Sequence, residues 1–184
     1  AKHRKQVFER VGVQLQHTQY QNSIIVEEAC TEYASLYADP ADYPALLNQF
    51  GLDSVKKSFV SKLSGGERQK LSVVLALIGK PEVVFLDELT TGLDVAARRE
   101  VWKTLKRLKD RGLTIFLTTH YMEEAADADY VVILDSGRIS AEGTPLNLKN
   151  TYTGDFVTLY NTEEDKIKQL GATYEKIKDA YRIS

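Results

Sequence analysis

At 184 residues, 43% hydrophobic and 27% charged, the chain is long enough for one domain with a sizeable core, and its composition excludes global disorder. A formal net charge of -2 and a pI near 6.0 exclude a general electrostatic pull toward nucleic acid or anionic lipid. The single cysteine, Cys30, rules out an internal disulfide and points to a reducing, cytoplasmic setting. The longest apolar stretch, around Val73 to Ile78, falls far short of the roughly 20 residues needed to cross a bilayer.

Ala1 to Phe8 form a basic, helix-prone run without a starting cap, and the cluster Lys2-His3-Arg4-Lys5 reads as a solvated helix face. Arg10 to Leu15 alternate weakly and predict a strand ending at Gln16. Helical spacing of apolar residues follows over Val26 to Tyr37 and Tyr43 to Phe50, with Pro40 and Gly51 as breaks. Ser64 opens a strong helix whose apolar face is Leu71, Val74, Leu75 and Ile78, stopped by Gly79 and Pro81. Val83-Val84-Phe85-Leu86 is a continuous apolar run of the kind buried on both faces of a parallel sheet. Asp94 is placed to cap the next helix, with Ala97, Val101, Leu105 and Leu108 inward and Gly112 at its end.

A second buried strand is predicted over Thr114 to Thr118, then a helical turn, then a strand over Val131 to Leu134. Asp135-Ser136-Gly137 reads as a hairpin turn, so an antiparallel pair is expected to finish the core. After Gly143-Thr144-Pro145 the pattern restarts, with Phe156 to Tyr160, Glu163 to Leu170 and Tyr174 to Ile177 suggesting a small strand-helix-strand appendage. Strands alternating with helices imply an α/β fold with a mostly parallel sheet.

Five elements carry chemistry. In Leu63-Ser64-Gly65-Gly66-Glu67, a serine at a helix start caps backbone N–H groups while two glycines permit close approach of another molecule. The remaining N–H groups and the helix dipole suit a phosphate-sized anion, although an ordinary serine-capped helix has the same pattern. Asp87-Glu88 ends an apolar strand at the sheet edge where such folds bind ligands. One of these acids can hold a hydrated Mg2+ and the other can accept a proton from water, although acids also end buried strands merely to meet solvent. Gly92-Leu93-Asp94 forms a turn before a helix, and Thr118-Thr119-His120 ends the next strand. Gln16, also at a strand end, offers an amide that can contact metal and water without adding charge.

In this order the five elements resemble the ABC ATPase family. Leu63 to Gln69 looks like the signature motif, Val83 to Glu88 the Walker B strand, Gly92 to Asp94 the D-loop, His120 the switch histidine and Gln16 the Q-loop glutamine; the resemblance runs from about Val11 to about Leu148. It implies a P-loop NTPase-like (RecA-like), mostly parallel sheet with an α-helical subdomain and a small C-terminal α+β appendage. Residues 1–16 would end an N-terminal part, 17–80 form the helical subdomain, 81–150 the catalytic core and 151–184 the appendage.

The resemblance further implies ATP and Mg2+ as cofactors, with Asp87 holding Mg2+ through water, Gln16 near the metal, Glu88 as general base and His120 sensing the γ-phosphate. Ser64, Gly65 and Gly66 would address ATP held by a second ATP-binding subunit in a head-to-tail dimer, and Asp94 would tie the two sites together. Gln16 and the helices up to Phe50 would meet a transmembrane permease subunit, the whole being peripheral on the inner face of the membrane. Tyr121 to Ala125 after His120, and Glu88 to Thr91, look like the drug and antibiotic exporter branch, with Leu89 and Val95 standing where prolines are common.

No G-x-x-x-x-G-K-[ST] loop occurs in the sequence. In the family that loop lies upstream of Gln16 and supplies a phosphate cradle and a lysine. The reading is therefore a chain truncated at its N-terminus, inactive by itself. The loop's strand is expected beside Val83 to Leu86, which would lose pairing on one side, leaving a marginal, rearranged or oligomeric fragment. Two other readings stay open: a non-catalytic dimerisation or docking module, and a non-transport ABC ATPase. The short span from Gln16 to Ser64 and the lack of a basic surplus argue against the latter.

Overall fold

The computed structural model describes residues 4–15, 20, 21, 23–152, 157–160, 162–170, 174–177 and 180–183. They divide into two compact units, residues 1–120 and 121–184.

The first unit is built on three parallel strands, β1 (Val11–Gln14), β2 (Val83–Asp87) and β3 (Thr114–Thr118), in the order β1-β2-β3. The registers place Gln14 opposite Leu86 and Asp87 opposite Thr118. β2 is thus paired on both sides. The expectation that Val83 to Leu86 would lack a neighbour is corrected: β1, the strand leading to Gln16, fills the edge assigned to the loop's strand. Local sequence shows that a strand exists but not which strands lie beside it.

Ahead of the sheet lies α1 (Arg4–Arg10), and between β1 and β2 come α2 (Val26–Ala34), α3 (Tyr43–Gln49) and α4 (Gly65–Leu77). Asp42 caps α3, its carboxylate accepting from the Ala45 N–H at 3.3 Å, with Pro44 in the first turn where no N–H is needed. α4 is buried over the unbroken run Leu71 to Leu77, wider than the four-residue face its spacing predicts. Such a helix is enclosed, with neighbours on several sides. It packs on β1 closely enough that a Cβ at Gly12 would collide with the Ala76 carbonyl. Around it Val26, Cys30, Leu47, Leu52, Val60, Val84, Leu86 and Leu105 form one core. Between β2 and β3 runs α5 (Val95–Asp110), inward through Val101, Thr104 and Leu105, with Ala97 and Leu108 half-buried as its spacing predicts.

β2 is not buried on both faces, however. Val84 and Leu86 are buried toward the core, whereas Phe85 is exposed on the other face with Val13, Leu15 and Phe116. The Phe85 and Phe116 rings meet there with centroids 5.3 Å apart.

The second unit opens with α6 (Met122–Ala125) and a hairpin of β4 (Val131–Asp135) and β5 (Arg138–Gly143). Its turn residues Ser136 and Gly137 both have positive φ (50° and 75°), the type I′ geometry that matches strand twist. The hairpin is a two-stranded sheet separate from the parallel one. After α7 (Pro145–Tyr152) come β6 (Val157–Tyr160), α8 (Glu164–Lys168), β7 (Tyr174–Ile177) and β8 (Ala180–Ile183), forming an antiparallel sheet in the order β6-β8-β7. Phe156, the predicted start of β6, lies outside the described residues. The central strand β8 is missed by sequence reasoning. Ile167, Ala180 and Tyr181 make this unit's small core.

Candidate functional site at the carboxyl edge of the parallel sheet

The carboxyl ends of β2 and β3 bring the predicted acids together with the approach to His120. Asp87 stands opposite Thr118, and the Thr118 hydroxyl donates to Asp87 Oδ1 at 2.6 Å. The same hydroxyl oxygen accepts from the Glu88 N–H at 3.1 Å, and the Thr118 carbonyl accepts from that N–H at 3.2 Å. Exposed His120 follows two residues later.

Glu88 has φ +47°, in the left-handed region that non-glycine residues seldom occupy. Such strain persists where the surroundings over-determine it. Here Thr118 holds the N–H, while the Glu88 carbonyl accepts from the Thr91 N–H at 3.1 Å and from Gln69 Nε2 at 3.5 Å. The Thr91 hydroxyl donates to Glu88 Oε2 at 3.4 Å. The chain therefore turns sharply at the second acid, and buried Leu89, Thr90 and Leu93 anchor the turn.

A further partner comes from β1. Gln14 is only 1% exposed, and its amide is used at both ends. Oε1 accepts from the Asp87 N–H at 3.0 Å, and Nε2 donates to the Leu15 carbonyl at 2.8 Å. Gln16, the glutamine predicted for the site, lies outside the described residues.

At the start of α4, Ser64 is the N-cap, as its sequence suggests. Its hydroxyl accepts from the Glu67 N–H at 3.2 Å, and Glu67 Oε2 accepts from the Ser64 N–H at 2.8 Å and the Ser64 hydroxyl at 2.7 Å. These bonds hold the Glu67 carboxyl below its ordinary range, with the serine hydroxyl the largest cause. A carboxylate thus sits where the helix favours an anion. The two glycines differ. A Cβ at Gly65 would meet open space, whereas one at Gly66 would lie 3.0 Å from the Leu93 side chain. Gly66 thus packs closely within the chain, against the turn that carries Asp94. Asp94 caps α5, Oδ1 accepting from the Ala97 N–H at 2.8 Å.

Sequence reasoning missed Gln14, Gln69 and Thr91, and it named Thr118 only as part of the element before His120, without a role of its own. A glutamine inside the otherwise apolar Val11 to Leu15 was the one available signal, because a polar residue at a buried strand position needs partners. Burial pushes the Cys30 thiol up to about 12, which removes it as a nucleophile at neutral pH. Among the described residues, no group of three or more His, Cys, Asp or Glu side chains converges as a metal cluster. The oxygen donors at the sheet edge, a carboxylate beside a hydroxyl, suit Mg2+, which takes one or two carboxylates and draws its other ligands from water and phosphate.

Paired acids at the end of one parallel strand, a histidine past the next, and a serine-capped helix start belong to an α/β protein whose parallel sheet presents them at its carboxyl edge, where such folds bind ligands. The family model described as ABC transporter matches residues 1–91. The chain is 44% identical over 127 residues to a Nod factor export ATP-binding protein I of Cupriavidus pinatubonensis, covering 68% of this chain and 39% of that protein. It is 44% identical over 128 residues to a daunorubicin resistance ATP-binding protein of Streptomyces coeruleorubidus, covering 69% and 40%. A solved structure of an ATP-binding subunit of an ABC transporter superposes with a TM-score of 0.69 at 25% identity, over 88% of this chain and 68% of that one. Over the matched residues the chain is similar to the ATP-binding proteins of the ABC transporter family. It spans about two fifths of the length of these two curated relatives. Among the described residues no helix is long and apolar enough to cross a membrane.

Proposed function

We propose that this chain is part of an ATP-binding, ATP-hydrolysing subunit that powers export through a membrane partner, with a drug-like or lipid-like cargo. The observation that carries the reading is the register Asp87 opposite Thr118, which puts the two acids and the strand leading to His120 at one sheet edge. In this reading Asp87 holds Mg2+ through water, with Gln16 as a second contact, and the ion would supply charge neutralisation at the phosphates. Glu88 accepts a proton from the attacking water, and His120 hydrogen-bonds the γ-phosphate. Ser64, Gly65 and Gly66 face ATP held by a second ATP-binding subunit, Asp94 lies at that dimer interface, and the helices up to Phe50 meet a transmembrane permease on the inner face of the membrane. Binding of an anion at Ser64 requires the Glu67 carboxylate to give up its bonds there.

A second reading rests on one feature. The 184 residues contain no G-x-x-x-x-G-K-[ST] loop, so Glu88 by itself has no phosphate held in place, and the chain alone would act as a dimerisation or docking module. Calorimetry with Mg-ATP separates the two. The expected result is heat of binding for a relative-length subunit carrying this chain and none for the 184 residues. Tight binding by the 184 residues alone would require another phosphate cradle within them and overturn the docking-module reading. No binding by the longer subunit would overturn the ATPase reading.

A further inference from the structure

Gln14 and Thr118 hold the acid pair from opposite faces of the sheet. Gln14 lies on the face packed against the core, at the last rung of β1, where its amide ties the Leu15 carbonyl to the Asp87 N–H. Thr118 lies on the open face, where its one hydroxyl donates to the Asp87 carboxylate and accepts from the Glu88 N–H. The hydrogen bonds of these two side chains end on Asp87, on Glu88 and on the residue after β1. A glutamine is an expensive choice for a fully buried strand position, since an apolar residue there would need no partners.

We propose that Gln14 and Thr118 are positioning residues that clamp Asp87 and Glu88 between the neighbouring strand ends. The clamp fixes which way the Asp87 carboxylate faces and maintains the left-handed turn at Glu88. Small displacements of reacting groups reduce turnover more than they reduce ground-state binding, so the clamp acts on kcat. Because Gln14 stands two residues before Gln16 in sequence, it also ties the end of β1 to the acid pair. The proposal rests on the ATPase reading for its kinetic arm only.

The test uses a relative-length subunit carrying this chain, with Gln14→Leu, Thr118→Val and Thr118→Ser, and follows ATP hydrolysis with circular dichroism as the folding control. Gln14→Leu is expected to lower kcat about tenfold and Thr118→Val about threefold, with KM for ATP within about twofold of wild type. Thr118→Ser keeps the hydroxyl and is expected to restore near-normal kcat. Folded Gln14→Leu and Thr118→Val variants with unchanged kcat would overturn the proposal, as would a Thr118→Ser variant as slow as Thr118→Val. If Gln14→Leu does not fold, the valine and serine pair decides.

If the wild-type subunit hydrolyses no ATP, the ATPase reading fails and hydrogen exchange decides the clamp. In the 184-residue chain the Asp87 amide should then exchange about fivefold faster in Gln14→Leu, and the Glu88 amide in Thr118→Val, with the Val84 amide unchanged. Equal exchange in both variants would overturn it.

Discussion

The two faces of the parallel sheet share their strands but not their surroundings. On one face Gly12, Gln14, Val84 and Leu86 lie against α4 and the core it organises, and the buried Gln14 amide is paired at both ends. On the other Val13, Leu15, Phe85 and Phe116 stand exposed, with the Phe85 and Phe116 rings in contact between strands. Residues of similar hydrophobicity therefore differ in what they contribute. The hydrophobic effect scales with area removed from water, so the covered face supplies stability and the open face little.

The largest effect is expected where the covered face is emptied. Leu86 is 1% exposed, and Leu86→Ala removes side-chain volume from the middle of the core. A loss of about 3 kcal/mol is expected, read from the urea midpoint at constant slope. Gly12→Ala tests the same face by overfilling it, because the new methyl group meets the Ala76 carbonyl and α4 must move away from β1. That substitution should lower stability by about 2 kcal/mol. On the open face, Phe85→Ser should change stability by less than about 1 kcal/mol and should reduce binding of a hydrophobic dye. A loss as large as that of Leu86→Ala would show that the Phe85 side is covered in solution.

This contrast marks how far the sequence could be read. The run Val83 to Leu86 announces a strand because its composition is local, and Ser64, Asp42 and Asp94 announce helix starts because capping is local. Which strands flank β2 depends on chain crossings that no short window contains, so the neighbour of β2 was wrongly expected and Phe85 was wrongly read as buried. The site divides the same way. Asp87, Glu88 and His120 were legible as residue types at strand ends, whereas Thr118 and Gln14 matter only through partners about thirty and seventy residues away. The spread of burial around α4 was underestimated for a related reason. A four-residue stripe predicts a helix lying on a surface, and Val73, Ala76 and Leu77 show that this one is enclosed.

The smallest expected effect concerns how the covering helix starts. Glu67 accepts from the Ser64 N–H and hydroxyl, which holds its carboxyl below the ordinary value of 4.5 in the folded chain. A group with a depressed folded pKa contributes stability above its unfolded pKa and loses it as pH falls through the folded value. The capping box should therefore be at full strength above about pH 4.5 and weaken below it. Glu67→Gln keeps a carbonyl acceptor for the Ser64 N–H but cannot titrate. The unfolding midpoint of wild type should fall relative to that of Glu67→Gln as pH is lowered from 5 to 3, by a small margin because one capping interaction is worth about 1 kcal/mol. Parallel midpoints over that window would mean that Glu67 does not hold Ser64 in solution, leaving the helix start open to an incoming anion without any exchange of partners.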